Sequence, residues 1–169
     1  TRDIAQSFNN TYEEIFPIPS FRLDKGAKVP GVDGQKMSKS YGNTIEIFDE
    51  GKSLQKKIMS IVTDSTPVEE PKDPETCNVF SLFKLFADEK EQNLLRERYL
   101  SGGMGYGEAK KMLLEQLDDF FAPFRQEREK LKSDKDYIEQ VLKSGGERAR
   151  EEARKTMELV YKAVGLSYH

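Results

Sequence analysis

The chain has 169 residues, 36% of them hydrophobic and 34% charged, with a formal charge of -3 and a single cysteine. That length suits one domain or parts of two and can bury a core; one cysteine excludes an internal disulfide framework and any zinc site built on cysteines. No run of about eighteen apolar residues occurs, and the opening TRDIAQSFNN lacks the charged-then-apolar order of a signal peptide, so the expectation is a soluble, cytoplasmic protein with no membrane partner. The small net charge decides nothing about nucleic acid, because basic residues can gather on one face of an acidic protein.

In chain order, Ile4, Ala5 and Phe8 sit at helical spacing, and FPIPSF then reads as a short extended stretch. The loop VPGVDGQKMSKSYGN follows. In TIEIF the alternation of Ile45 and Ile47 reads as strand-like, and Leu54, Ile58 and Ile61 predict a helix with Asp49 as its N-cap. Residues 63–76, with Pro67, Pro71 and Pro74 amid polar residues, admit neither a helix nor a central strand and read as a linker between 1–62 and 77–169. Beyond the linker the pattern is helical. NVFSLFKLFA places Val79, Leu82, Phe83 and Phe86 on one face, and LLRERYL follows at similar period up to a stop at Gly102 and Gly103. The run 106–132 carries Met112, Leu113, Leu117, Phe120, Phe121 and Phe124, with Pro123 expected to end or bend it. DYIEQVLKSGG predicts a short helix closed by glycines, and the stretch after it a last helix stopped at Gly165.

Most reaction chemistry finds no footing here. The one histidine, His169, is the final residue, a poor place for a catalytic triad. Asp118 and Asp119 have no spaced partners resembling metal ligands, and Cys77 reads as structural. Arg96, Arg98, Lys110, Lys111, Arg148, Arg150 and Arg154 are candidate phosphate contacts, but their acidic neighbours favour salt-bridged surface.

The loop at 29–48 differs. Gly31, Gly34 and Gly42 allow sharp bends, which predicts a mobile loop. Within five consecutive residues Lys36 and Lys39 supply two compact cations, and Ser38 and Ser40 supply hydroxyl donors, a set that suits polyphosphate. A lysine about 4 Å from a phosphate oxygen gains roughly 4 kcal/mol at an effective dielectric of 20, so two could share the charge of a departing pyrophosphate. Composition alone leaves a solvated turn as the commoner reading.

The string KMSKS at 36–40 resembles the second signature of class I aminoacyl-tRNA synthetases, and PGVDGQKMSKSYGNTI resembles the form found in bacterial-type tryptophanyl-tRNA synthetases. Upstream TRDIAQSFN and FPIPSF are similar to the family's helix and strand before the signature. KKIMSIVTDS, YLSGGMGYGEAKKMLLEQLDDFFAPFRQEREKL and GGERAREEARKTMELVYKAVGL are similar to its helical C-terminal region. Val32 stands where leucine is commoner, a small apolar change.

The resemblance implies a mostly α chain: the tail of a Rossmann-like α/β catalytic domain (1–62) followed by an all-helical anticodon-binding region (77–169), whose last helix packs back on the catalytic domain. It implies ATP as substrate with Mg2+ carried on it and no metal held by protein ligands, tryptophan and tRNA(Trp) as the other partners, and a homodimeric full-length enzyme. Lys36 and Lys39 become the catalytic candidates, and Lys36, Met37, Ser38, Lys39 and Ser40 the ATP-phosphate loop. No HIGH-like signature, early nucleotide-binding glycine loop or tryptophan-pocket motif occurs in the chain. It therefore reads as a C-terminal fragment, inactive by itself, whose expected strands lack neighbours. Other readings are a non-catalytic helical RNA-binding or interaction module derived from a synthetase, and a helical scaffold without a ligand.

Overall fold

The computed structural model describes residues 1–23, 26 and 28–166; His169 lies outside them. The chain is mostly helical: α1 (Arg2–Thr11), a single 3-10 turn (Lys39–Tyr41), α2 (Gly51–Met59), α3 (Asn78–Phe83), α4 (Glu89–Ser101), α5 (Tyr106–Ser133) and α6 (Lys135–Ala163). Among the described residues there is no strand, and the one isolated bridge pairs Pro30 with Lys36 in antiparallel sense. Two compact units result, one of residues 1–22 and 129–169, the other of residues 23–128. The proline-rich stretch 63–76 contains neither helix nor strand and lies within the second unit.

The second unit holds a core of Leu54, Ile58 and Ile61 from α2 and its end, Val79, Phe80, Leu82 and Phe83 from α3, Leu95 and Tyr99 from α4, and Ala109, Leu113 and Leu117 from α5. α3 is only six residues long and apolar almost all round, so it survives by being enclosed rather than by propensity. α4 starts on a reciprocal cap: the Asp88 carboxylate accepts from the Glu91 amide at 2.8 Å, and the Glu91 carboxylate accepts from the Asp88 amide at 3.0 Å. It ends, as its spacing predicts, before Gly102. The 67–72 bend is fastened from inside: Lys72, 3% exposed, donates from Nζ to the carbonyls of Pro67 at 2.7 Å and Glu70 at 3.0 Å and lies over the Tyr106 ring.

Three expectations change. TIEIF forms no strand, because the Asp49 amide donates to the Glu46 carbonyl at 3.1 Å and the Asp49 carboxylate accepts from the Glu46 amide at 2.9 Å, closing a turn there. The same carboxylate takes a salt bridge from Lys57 at 2.6 Å, so the N-cap of α2 is Glu50, without a side-chain cap bond. Finally, α6 runs on through Gly145 and Gly146 where a stop is expected; Pro123, expected to end or bend its run, does not end it, and α5 continues through it as one helix. A proline removes one backbone donor and an interior glycine costs about 1 kcal/mol against alanine, penalties that helices of 28 and 29 residues absorb. The junction between them is set by Asp134, whose side chain caps the Tyr137 amide at 3.0 Å.

In the first unit, Phe8 meets Tyr12 and Phe16 with ring centroids 5.0 Å apart in each case, and the Asn9 amide holds the turn after α1 by donating to the Phe16 carbonyl at 2.7 Å. α6 ends as predicted around Gly165 (φ +77): the Leu166 amide reaches the Tyr161 carbonyl at 2.8 Å and the Gly165 amide that of Lys162 at 3.2 Å. Only glycine takes that left-handed position without strain.

Candidate functional site

The loop begins as a narrow hairpin. The Gly31 amide donates to the Gln35 carbonyl at 2.7 Å and the Met37 amide to the Val29 carbonyl at 2.8 Å, while the Gly34 amide closes the turn on Gly31 at 3.0 Å. The hairpin is anchored to the rest of the second unit by the Val62 amide, which donates to the Val32 carbonyl at 2.8 Å; Asn78 donates in turn to the Val62 carbonyl at 3.0 Å.

After the hairpin the chain turns outward. Ser38 is extended, Lys39–Tyr41 make the 3-10 turn, and Gly42 closes it in the left-handed region. Lys36, Lys39 and Ser40 are exposed, Met37 and Ser38 half-buried. The Ser38 and Ser40 hydroxyls share a hydrogen bond of 2.8 Å. Neither lysine ammonium is engaged by any partner among the described residues, so both positive charges face solvent, close in sequence to two hydroxyls. Such a surface can take an anion with several oxygens, each cation offering three donors and the bonded pair of hydroxyls one free donor between them. All five residues singled out from the sequence thus fall on one continuous segment. Among the described residues no group of three or more His, Cys, Asp or Glu gathers to hold a metal, and no helix is long and apolar enough to cross a membrane.

Sequence reasoning missed what holds this loop. Asn43, 2% exposed, is its buried polar side chain. Its Oδ1 accepts from the Ser38 amide at 2.8 Å, and its Nδ2 donates to Asp33 Oδ1 at 2.8 Å and to the Lys36 carbonyl at 3.3 Å. Its own carbonyl accepts from the Val32 amide at 3.0 Å. Gly31 makes room: a Cβ there would stand 2.4 Å from Asn43 Cγ. The available signal was an asparagine, rich in donors and acceptors, directly after a glycine and before an apolar run.

Downstream the loop leads into charged pairs rather than open cations. Burial pushes the Asp49 carboxyl up, but the hydrogen bonds from Lys57 and the Glu46 amide, with the lysine's charge, hold it net below its ordinary range. Arg125 donates to the Asp118 carbonyl at 2.7 Å, and the Arg128 guanidinium lies 4.5 Å from the Phe48 ring centre. Of the seven basic residues weighed as phosphate contacts, four are engaged: Arg96 pairs with Glu75, Arg98 with Glu108, Arg154 with Glu158, and Lys110, pushed down by burial, donates to the Met59 carbonyl at 3.0 Å at the end of α2.

Comparison with known proteins gives a consistent set of relatives. The family described as tRNA synthetases class I (W and Y) matches residues 1–122. Tryptophan–tRNA ligase of Rhodopirellula baltica is 48% identical over 98% of this chain and 52% of its own length; that of Fusobacterium nucleatum is 46% identical over 98% and 51%. Among solved structures, tryptophanyl-tRNA synthetase from Campylobacter jejuni complexed with ADP and tryptophan aligns with a TM-score of 0.76 at 45% identity, over 98% of this chain and 52% of that one. The chain thus spans about half the length of the relatives it matches.

Proposed function

This chain belongs to the class I tRNA synthetases of the tryptophan and tyrosine group, and on that premise we propose that it is the C-terminal part of a tryptophan–tRNA ligase. The full-length protein activates tryptophan with ATP, the carboxylate displacing pyrophosphate in line at the α-phosphorus, and then passes the tryptophanyl group to the terminal ribose of tRNA(Trp). Magnesium comes with the nucleotide. Lys36 and Lys39 contact the ATP phosphates and stabilise the leaving pyrophosphate, and Met37, Ser38 and Ser40 shape the loop and donate to phosphate oxygens. A contact that strengthens as charge develops on the leaving group lowers the barrier rather than only tightening binding.

The observation that carries this reading is the pair of exposed ammonium groups, unengaged among the described residues, on a segment whose base is pinned by part-buried hydrogen bonds to Asn43. Residues 1–62 serve the catalytic domain and 77–169 the tRNA, through anticodon contacts, with 63–76 joining them. The full-length enzyme is a cytoplasmic homodimer. The 169-residue chain, which spans about half the length of its relatives, does not catalyse activation by itself.

Lys39→Ala in the full-length protein should cut the rate of adenylate formation by about a hundredfold or more. Single-turnover measurement of pyrophosphate release checks this, and an unchanged rate would refute the assignment. Tryptophan-dependent pyrophosphate exchange by the purified 169-residue chain would refute its inactivity.

A further inference from the structure

The structure divides the loop into parts held in different ways. On the near side, three successive residues are fixed from outside the turn: the Lys36 carbonyl by Asn43 Nδ2, the Met37 amide by the Val29 carbonyl, and the Ser38 amide by Asn43 Oδ1. On the far side, among the described residues, 39–42 keep only bonds within the turn: from the Tyr41 amide to the Ser38 carbonyl at 3.1 Å, from the Gly42 amide to the Lys39 carbonyl at 3.2 Å, and between the Ser38 and Ser40 hydroxyls at 2.8 Å. Lys36 projects from the fixed part and Lys39 from the turn.

Both ends of that turn meet in one side chain. Asn43 follows Gly42 directly, and its amide group holds Ser38, where the turn begins. We propose that Asn43 is a positioning residue for nucleotide phosphate binding: by clasping the ends of the 38–42 turn it keeps Lys39 within reach of the polyphosphate that Lys36 meets. The role rests on the functional reading above. A terminal amide suits it because the position needs an acceptor for Ser38 and donors for Asp33 and the Lys36 carbonyl at once, a set that neither a carboxylate nor a hydroxyl supplies. The side chain is buried against Gly31, where even a methyl group would stand 2.4 Å from its Cγ, so the clasp is closely packed.

The test uses the full-length protein and compares Asn43→Ala, Lys39→Ala and the exchanged pair D33N/N43D. In the exchanged pair the carboxylate at 43 still accepts from Ser38 and the amide at 33 donates to it, so the clasp on Ser38 is rebuilt, while the Lys36 carbonyl loses its donor and the Gln35 amide loses the Asp33 Oδ1 acceptor it shares with Asn43. Adenylate formation per active site, counted by burst titration, should fall roughly ten- to hundredfold in Asn43→Ala, the loss expected when a reacting group is misplaced by about 1 Å. The KM for tryptophan should not move, and the exchanged pair should recover part of the rate, above Asn43→Ala. Amide hydrogen exchange on the 169-residue chain gives an independent reading: Asn43→Ala should unprotect Ser38 while Val62 stays protected.

An unchanged rate per active site in Asn43→Ala, with Lys39→Ala slow, overturns the inference and leaves the functional reading standing. So does a Ser38 amide that stays protected in Asn43→Ala. A lowered melting temperature with a normal rate per active site assigns Asn43 to stability alone and overturns it too. Wild-type protein without tryptophan-dependent exchange, or Lys39→Ala as fast as wild type, overturns the functional reading and this role with it.

Discussion

α5 and α6 are nearly equal in length, 28 and 29 residues, and both carry large apolar side chains at helical spacing. α5 buries Ala109, Leu113 and Leu117, one turn apart in succession, within the core shared with α2, α3 and α4. α6 buries none of its residues, and Val141, Leu142 and Leu159 on it are each more than half exposed. The contrast separates two things that periodicity merges. Apolar spacing is enough to specify a helix, but burial needs a facing surface of matching shape, and only α5 has one within its own unit.

The sharpest way to break this comparison is to truncate one leucine on each helix. Leu113→Ala should cost about 2–5 kcal/mol, because it opens a cavity in a packed core. Leu142→Ala, at a position 69% exposed, should stay within about 0.5 kcal/mol. Urea denaturation of the chain measures both, and equal losses would mean that α6 is covered in solution.

A pair of glycines extends the same contrast with a change of sign. Gly31→Ala forces a methyl against Asn43 and should destabilise by about 1–3 kcal/mol. Gly145→Ala, inside α6 with nothing within 4 Å of the added carbon, should stabilise by about 0.5–1 kcal/mol. Thermal melts of the two variants give the signs directly.

The smallest effect is set by pH. The Asp49 carboxyl is held below its ordinary value near 3.8 in the folded chain, so it contributes stability above that pH. The contribution fades as the pH falls through its lower folded-state value and the proton displaces the bond to Lys57. Asp49→Asn should therefore flatten the acid limb of the stability profile below about pH 4 while leaving the pH 7 to 9 region parallel to wild type.

Much of the helical order was legible because it depends on near neighbours. The glycine ends of α4 and α6 and the core faces of Leu54, Ile58, Leu113 and Leu117 all follow from residues within a turn or two of one another. The errors have a common cause, the competition between local groups for the same partner. Asp49 could cap α2 or fold back onto the Glu46 amide and Lys57, and the second choice also removes the strand that Ile45 and Ile47 advertise. Gly145 and Gly146 could stop a helix, yet neither takes the left-handed conformation and the helix continues. At the candidate site the two cations and two hydroxyls were legible as residue types, while the fastening of the loop was not. The partners of Asn43 are five to eleven positions away, and nothing but the folded hairpin brings Asp33, Lys36 and Ser38 round its side-chain amide and Val32 to its backbone carbonyl.

Lys72 makes the opposite use of a lysine from the loop, and this has a consequence for chemical labelling. Its ammonium is enclosed by the carbonyls of Pro67 and Glu70 and by the face of Tyr106, so an acylating reagent has no approach to the nitrogen while the 67–72 bend is intact. Lys36 and Lys39 stand open to the same reagent. Lysine acylation read by mass spectrometry thus carries its own reference within one chain: modification at 36 and 39 reports the state of the loop, and modification at 72 reports that the protein has come undone.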